Sequence, residues 1–258
     1  MKAYVVTGTT RGIGRAIAEE VMERGEQLLS LSSAPDRVGS AWRNMACDLR
    51  RPETLRPLLG RLLESVPSDR ISDWVLINNA GVLEPMGPLD EGDDNRIVDH
   101  LHINQAAPAI LMSAFISLTA NFSGRRRVIN ISSGAAVHPY PGWAMYCASK
   151  SALDMMTLCV AAEQRGRPNP VMICSIYPGK VETRMQRTVR RSDPGRFPAQ
   201  PEFVKAKESG TVSSPADVAR SILVLDAAGK FENGCIYDLR SASSHEGGPA
   251  IEPIQSLP

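Results

Sequence analysis

The chain has little that would mark it for a metal, a membrane or a nucleic acid. Its five cysteines (Cys47, Cys147, Cys159, Cys174 and Cys235) are scattered, odd in number and form no CxxC pair. That pattern argues against a disulfide framework or a zinc site and suits free thiols in a reducing cytoplasm. His100 and His102 would diverge on a helix, so no metal centre is expected. No run of about 18 apolar residues offers a membrane-spanning helix. Met1 to Gly8 runs from a short apolar stretch straight into a glycine turn, so no secretion signal is expected. Twenty-nine basic residues against 28 acidic ones leave a net charge of +1, too weak a field to draw nucleic acid or anionic lipid.

What is present is alternation. Short apolar runs at Val5-Val6, Leu28–Leu31, Met45–Asp48, Trp74–Ile77, Val128–Ile131 and Val171–Ile176 read as strands buried on both faces. Between them lie helical patterns: Ile13, Ile17 and Val21, then about 93–120 and about 143–165. With 258 residues and 43% apolar composition, this predicts a single-domain α/β protein, a doubly wound parallel sheet with helices on both faces, over residues 1–240. Residues 180–214, rich in Arg, Pro and Ser, are expected to form a lid or a disordered connection. The stretch 241–258 has the composition of a mobile tail. Arg184, Arg187, Arg190, Arg191 and Arg196 read as a solvated basic face, with attraction of an anionic ligand as the alternative, and Arg125-Arg126-Arg127 as surface.

Thr7-Gly8-Thr9-Thr10-Arg11-Gly12-Ile13-Gly14 follows the first strand and opens the first helix. Gly8 permits the sharp turn, Gly12 lets the backbone approach a pyrophosphate, and Gly14 lets the helix pack against the strand. The helix N-terminus then offers unpaired N–H groups to phosphates. The second strand ends Ser30-Leu31-Ser32-Ser33, with no acid before Asp36 to hold an adenosine ribose and repel a 2′-phosphate. Arg11 could reach such a phosphate as a bidentate donor. The expected cofactor is therefore NADP(H), with Ser32 at the edge of its site.

Tyr146 and Lys150 are one helical turn apart and share a face. A free phenol titrates near about 10, and a neighbouring ammonium favours its phenolate, so Tyr146 is expected to donate or remove a proton at a carbonyl or alcohol oxygen. Ser133, just beyond the fifth strand, can hydrogen-bond the same oxygen.

The TGxxxGIG spacing, Asp48, Asn78-Asn79-Ala80-Gly81, Asn104, Ser133, Tyr146, Lys150 and Tyr177-Pro178-Gly179 follow one another in a single order. In this the chain resembles the short-chain dehydrogenase/reductase family, with its Rossmann fold, and looks closest to the benzil-reductase and sepiapterin-reductase-like branch. The resemblance implies that Gly8, Thr10, Arg11, Gly12, Ile13 and Gly14 border the cofactor. It likewise implies adenine contacts from Asp48 and Leu49, and a wall made by Asn79, Ala80 and Gly81. Lys150 would hold the nicotinamide ribose, Asn104 would hold a water in the proton relay, and Pro178, Gly179, Val181 and Thr183 would close over the carboxamide. Helices carrying Asn104 and Tyr146 would form a homodimer or homotetramer. The substrate is expected to be a small carbonyl compound lined by Val137, Tyr140, Trp143 and Met185, with Phe197 near. The alternatives are an NAD-linked alcohol or hydroxysteroid dehydrogenase and a non-catalytic dinucleotide sensor.

Overall fold

A computed structural model describes residues 1–33, 41–227, 232–241 and 253–255. The strands are β1 (Lys2–Thr7), β2 (Gln27–Ser32), β3 (Trp42–Ala46), β4 (Asp73–Asn78), β5 (Arg125–Ile131), β6 (Val171–Tyr177), β7 (Cys235–Asp238) and β8 (Pro253–Gln255). The helices are α1 (Gly12–Glu23), α2 (Leu55–Glu64), α3 (Asp94–Leu101), α4 (Ala107–Leu118), α5 (Ala144–Gln164), α6 (Arg184–Arg190), α7 (Gln200–Glu208) and α8 (Pro215–Ala227). One sheet runs β3-β2-β1-β4-β5-β6-β7-β8, parallel throughout except for β8 against β7. The chain leaves β1 toward β2 and β3, then returns to set β4 on the other side of β1. Doubly wound sheets bind ligands in the crevice such a reversal opens at the carboxyl edge.

The apolar runs are continuous because both faces are covered. Tyr4 and Val6 of β1 pack with Ile17 and Val21 of α1 and Ile222 and Leu223 of α8. Ala3 and Val5 face the opposite way, onto Leu55, Leu59 and Leu62 of α2 and Leu111 and Phe115 of α4. Successive side chains point to opposite layers, so neither face can be polar. A π-helical turn, His102–Ala106, joins α3 to α4. The combined rod Asp94–Leu118 is long and apolar enough to span a membrane by length and hydropathy; here Ala114 and Phe115 are fully buried in the α2 layer.

Several details depart from the sequence expectations. The third strand begins upstream of the expected Met45–Asp48, at Trp42, and ends at Ala46, because an edge strand with Arg43 exposed makes no continuous apolar run. β7 is four residues long, too short to stand out, and Pro253–Gln255 within the expected tail pairs with it; residues 242–252 and 256–258 lie outside the described residues. Arg126 and Arg127 are not surface residues. They sit inside β5, each 4% exposed. Arg127 is paired with Asp73 (2.7 Å) and Asp226 (3.0 Å), while Arg126 donates to the Ile116 and Asn169 carbonyls. Buried guanidinium groups survive only when bonded in this way.

Residues 180–214 are ordered into α6 and α7, whose apolar residues Val189 and Phe203 join Trp143 and Tyr146 in a third cluster. A parallel bridge between Val181 and Ser213 closes the base of this lid. Its basic residues sort by partner. Arg187 and Arg190 pair with Glu182, and Arg196 pairs with Glu91.

Two glycines make opposite predictions. A Cβ on Gly14 would lie 2.3 Å from the Gly8 carbonyl oxygen and 2.3 Å from Asn79 Nδ2, so Gly14→Ala should cost about 1–3 kcal/mol or more and lower Tm. Gly60 sits inside α2 with only Leu118 Cδ1, at 3.9 Å, near its missing Cβ. Gly60→Ala should therefore raise stability by about 0.5–1 kcal/mol in denaturant titration.

Candidate active site

The carboxyl ends of β1 and β4 are clamped together. Thr7 Oγ1 accepts from the backbone N–H of Asn79 (3.0 Å) and of Ala80 (2.9 Å), and Asn79 Nδ2 donates back to the Thr7 carbonyl (2.9 Å). Gly8 and Gly12 adopt φ of 72° and 59°, left-handed values that a side chain would resist. Arg11 precedes α1 in an extended conformation without a side-chain cap, so the first N–H groups of the helix remain available to a ligand.

A cavity of about 390 Å³ runs from this turn along the sheet edge. At one end its wall is Gly8, Thr10, Arg11, Gly12 and Ile13, with Ser33, Asp48 and Leu49 beside them. Asn79, Ala80 and Gly81 form the middle, and Ser133, Tyr146 and Lys150 the far side. Pro178, Gly179, Val181, Thr183 and Met185 cover it from the lid. Gly14 lies behind the wall, packed against Gly8.

Three expected residues are placed differently. Ser32 is buried in β2 with its hydroxyl bonded to Asn44 Oδ1 (2.9 Å); alternation turns its neighbour Ser33 to the cavity instead. Asp36 lies outside the described residues. Val137 ends the turn Gly134–Ala136 facing outward, 69% exposed, and is not part of the wall. Phe197 is fully buried behind Trp143, stacked at 4.4 Å and 17°, so it supports the lining from outside. Asp48 holds its place but receives Arg50 on both oxygens (2.7 and 3.0 Å), which depresses its pKa.

α5 carries Tyr146 and Lys150 on its inward face, both nearly buried. Lys150 Nζ donates to the Ile131 carbonyl at the end of β5 (2.8 Å) and lies 5.7 Å from the Tyr146 ring centre. Burial pushes the phenol up to about 12, opposed by the Ser133 hydroxyl. Burial pulls the ammonium down to about 8, opposed by the Asp154 carboxylate. Desolvation of the phenolate is thus the largest influence at Tyr146. Tyr146 is held as an acid. Ser133 Oγ accepts from the Ala135 N–H (3.2 Å), which leaves its own O–H to donate.

Asn104 stands in the π-helical turn, an irregularity frequent at functional sites. Its carboxamide is fully oriented: Oδ1 accepts from Val82 N (2.9 Å), while Nδ2 donates to Val82 O (2.8 Å) and lies 3.0 Å from His100 Nε2. His100 Nδ1 lies 2.8 Å from the Glu84 carbonyl, and burial lowers the pKa of this ring. Gly81 keeps the gap beside Asn104 open, since a Cβ there would lie 3.3 Å from Asn104 Oδ1 and 3.9 Å from Lys150 Nζ. Below Lys150 on the same helix, Asp154 accepts from the Tyr177 hydroxyl (2.6 Å). That bond ties α5 to the strand that ends in Pro178-Gly179.

The far end of the cavity is aromatic. Tyr140, Trp143 and Phe203 line it, with Met185 and Val189; Tyr140 and Trp143 have ring centres 5.2 Å apart. Sequence reasoning missed Ser33, Lys180, Arg184, Phe203 and Arg240, all on the wall. Arg184 was legible as a lid arginine, but nothing in the sequence distinguishes it from the ion-paired ones. Arg240 is placed by the register of β7, which the sequence does not reveal.

Comparison with known proteins identifies the family. The family model for short chain dehydrogenases matches residues 2–194. A benzil reductase ((S)-benzoin forming) of Bacillus subtilis (strain 168) is 37% identical over 93% of this chain and 99% of its own length. Sepiapterin reductase of Bos taurus is 29% identical, covering 91% of this chain and 92% of that protein. Among solved structures, 4-hydroxyisoleucine dehydrogenase complexed with NADH superposes with a TM-score of 0.78 at 24% identity, covering 92% of this chain and 96% of that one. This likeness shows a shared fold. The chain belongs to the short-chain dehydrogenase family of oxidoreductases.

Proposed function

We propose that this protein is an NADPH-dependent carbonyl reductase acting on an aromatic ketone or diketone. The observation that carries this reading is the meeting of Ser133, Tyr146 and Lys150 in one cavity with the glycine turn. The groove suits a dinucleotide: the bare α1 terminus and Gly12 stand at one end for a diphosphate, and Lys150 at the other for a ribose. When bound, the nicotinamide supplies the hydride. The chain's own residues do the rest. Ser133 and Tyr146 orient the ketone oxygen by hydrogen bonds, and Tyr146 passes its phenolic proton to that oxygen as charge develops. Lys150 steadies the phenolate left behind, while the lid and its aromatic cluster keep water out.

Arg11 supports NADP(H) over NAD(H). It lines the phosphate end of the cavity, and no described residue pairs with it. A guanidinium at that end of the cavity is suited to a 2′-phosphate. The five free thiols suit a reducing, cytoplasmic setting, and a homodimer or homotetramer built on the α3–α4 and α5 faces completes the proposal. The benzil and sepiapterin reductases among the relatives and the Tyr140–Trp143–Phe203 lining favour a flat, aromatic substrate.

Absorbance of NADPH at 340 nm in the presence of benzil tests the assignment directly. Wild-type protein should consume NADPH, and Tyr146→Phe should lose about 10²–10⁴ in kcat while still binding the dinucleotide. Undiminished reduction by the phenylalanine variant would refute the proton-donor role. Arg11→Ala should raise KM for NADPH and leave KM for NADH nearly unchanged; equal effects on both would remove the phosphate contact. The pH profile carries a sign. Lys150 loses its charge as pH rises through about 8, whereas Tyr146 keeps its proton to about 12. Hence kcat/KM for reduction, which reports the free enzyme, should hold level near neutrality and decline above about 8.

A further inference from the structure

The cavity wall is electrically lopsided. Among the described residues it carries Arg11, Lys150, Lys180, Arg184 and Arg240 against Asp48 alone; Asp48 is taken up by Arg50, and Arg240 is paired with Asp238, which stands behind the wall. A dinucleotide accounts for part of this excess. Arg11 stands at the phosphate end, and Arg184 follows Thr183, whose methyl lies 3.2 Å from the Cβ position of Gly12. Lys150 belongs to the reacting centre, and Lys180 is placed over the Phe203 ring, 4.5 Å from its centre, with its Nζ donating to the Glu202 carbonyl. Arg240 belongs to none of these. Its Cγ lies 3.0 Å from the Cβ position of Gly179, and its Nη2 lies 3.6 Å from that of Gly134, the residue after Ser133. It therefore bridges the two loops that flank the ketone site.

Arg240 is held ready. Asp238 accepts from its Nε (2.9 and 3.0 Å) and from Nη2. The carboxylate is buried while the guanidinium side chain is 65% exposed, so the pair presents its cationic side outward. Nη1 makes no bond to a described residue. A guanidinium fixed by a buried acid needs little reorganisation to receive a second anion. Across the same opening stand Tyr140, close enough to feel the Arg240 charge, and the rings of Trp143 and Phe203.

We propose, building on the carbonyl-reductase reading, that the site takes aromatic 2-oxo acids, with Arg240 binding the carboxylate beside the reacting ketone. The ketone oxygen sits on Ser133 and Tyr146, the carboxylate on Arg240 and the aryl group among Tyr140, Trp143 and Phe203. Hydride from the reduced dinucleotide adds to the keto carbon, the carbonyl π bond breaks toward oxygen, and the Tyr146 proton completes the hydroxyl. The products are a 2-hydroxy acid and the oxidised dinucleotide, and solvent returns the proton to Tyr146.

Benzoylformate and its ethyl ester test this, because they share a keto group and differ in the charge. Wild-type protein should favour the acid in kcat/KM, and added salt should erode that preference. Arg240→Gln should cut the acid-to-ester ratio by about 10–100-fold, the usual range for a charged hydrogen bond. Arg240→Lys, which keeps a cation for the buried Asp238, should cut it less. A wild-type preference for the ester, or a ratio that Arg240→Gln leaves unchanged, would overturn the proposal. Reduction of benzil without reduction of benzoylformate would sink this inference alone. Failure of all three ketones would sink the carbonyl-reductase reading with it.

Discussion

A buried ammonium is the constraint around which this site is built. Among the described residues, Lys150 Nζ has one direct partner, the Ile131 carbonyl at the tip of β5, and one carboxylate that favours its charge, Asp154 a turn below. Asp154 is in turn held by the Tyr177 hydroxyl at the end of β6. These bonds fix α5 against two strand ends, and that placement sets Tyr146 beside Ser133. Because both groups are buried, the phenol stays protonated, while the ammonium, pulled down to about 8, keeps most of its charge at neutral pH. Burial thus decides the protonation states with which the pair begins its work.

The surrounding structure protects that arrangement. The Thr7–Asn79–Ala80 clamp locks the two strands that flank the crevice, and the π-helical turn presents Asn104 with no freedom to rotate its amide. Above them, Glu182 joins the lid helices by accepting from Arg190 (2.8 Å) and Lys207 (2.9 Å), which holds its pKa down at about 2. Glu182 lies between Val181 and Thr183 of the cavity wall, so the lid's own electrostatics position residues that face the ligand. Exposed pairs of this kind are individually weak; their convergence on one carboxylate, together with the buried rings of Trp143, Phe197 and Phe203, gives the lid its definition.

How much of this was legible in the sequence depended on the range of each signal. The doubly wound sheet was readable from strands such as Val128–Ile131, where burial on both faces writes an unbroken apolar run. The glycine turn and the Tyr146–Lys150 pair were readable because their geometry is local, one turn of chain or helix. Ser32 was misassigned to the cavity in place of Ser33 because strand alternation settles which serine faces out, and a one-residue difference reverses it. Arg126 and Arg127 looked like surface residues because their partners, Asp73, Asp226 and backbone carbonyls, are remote in sequence. Arg240 and Asp154 were invisible for the same reason: each matters through what the fold brings to it.

The central claim is that one oxygen of the substrate is shared by the Ser133 hydroxyl and the Tyr146 phenol at the cavity's reacting end. A crystal structure of the protein with oxidised dinucleotide and a bound alcohol product would examine this most directly. The account predicts the product oxygen within about 2.6–3.2 Å of both Tyr146 Oη and Ser133 Oγ, with the carbon that bears it facing the nicotinamide. An alcohol oxygen bound to neither hydroxyl, with its carbon directed away from the ring, would contradict it.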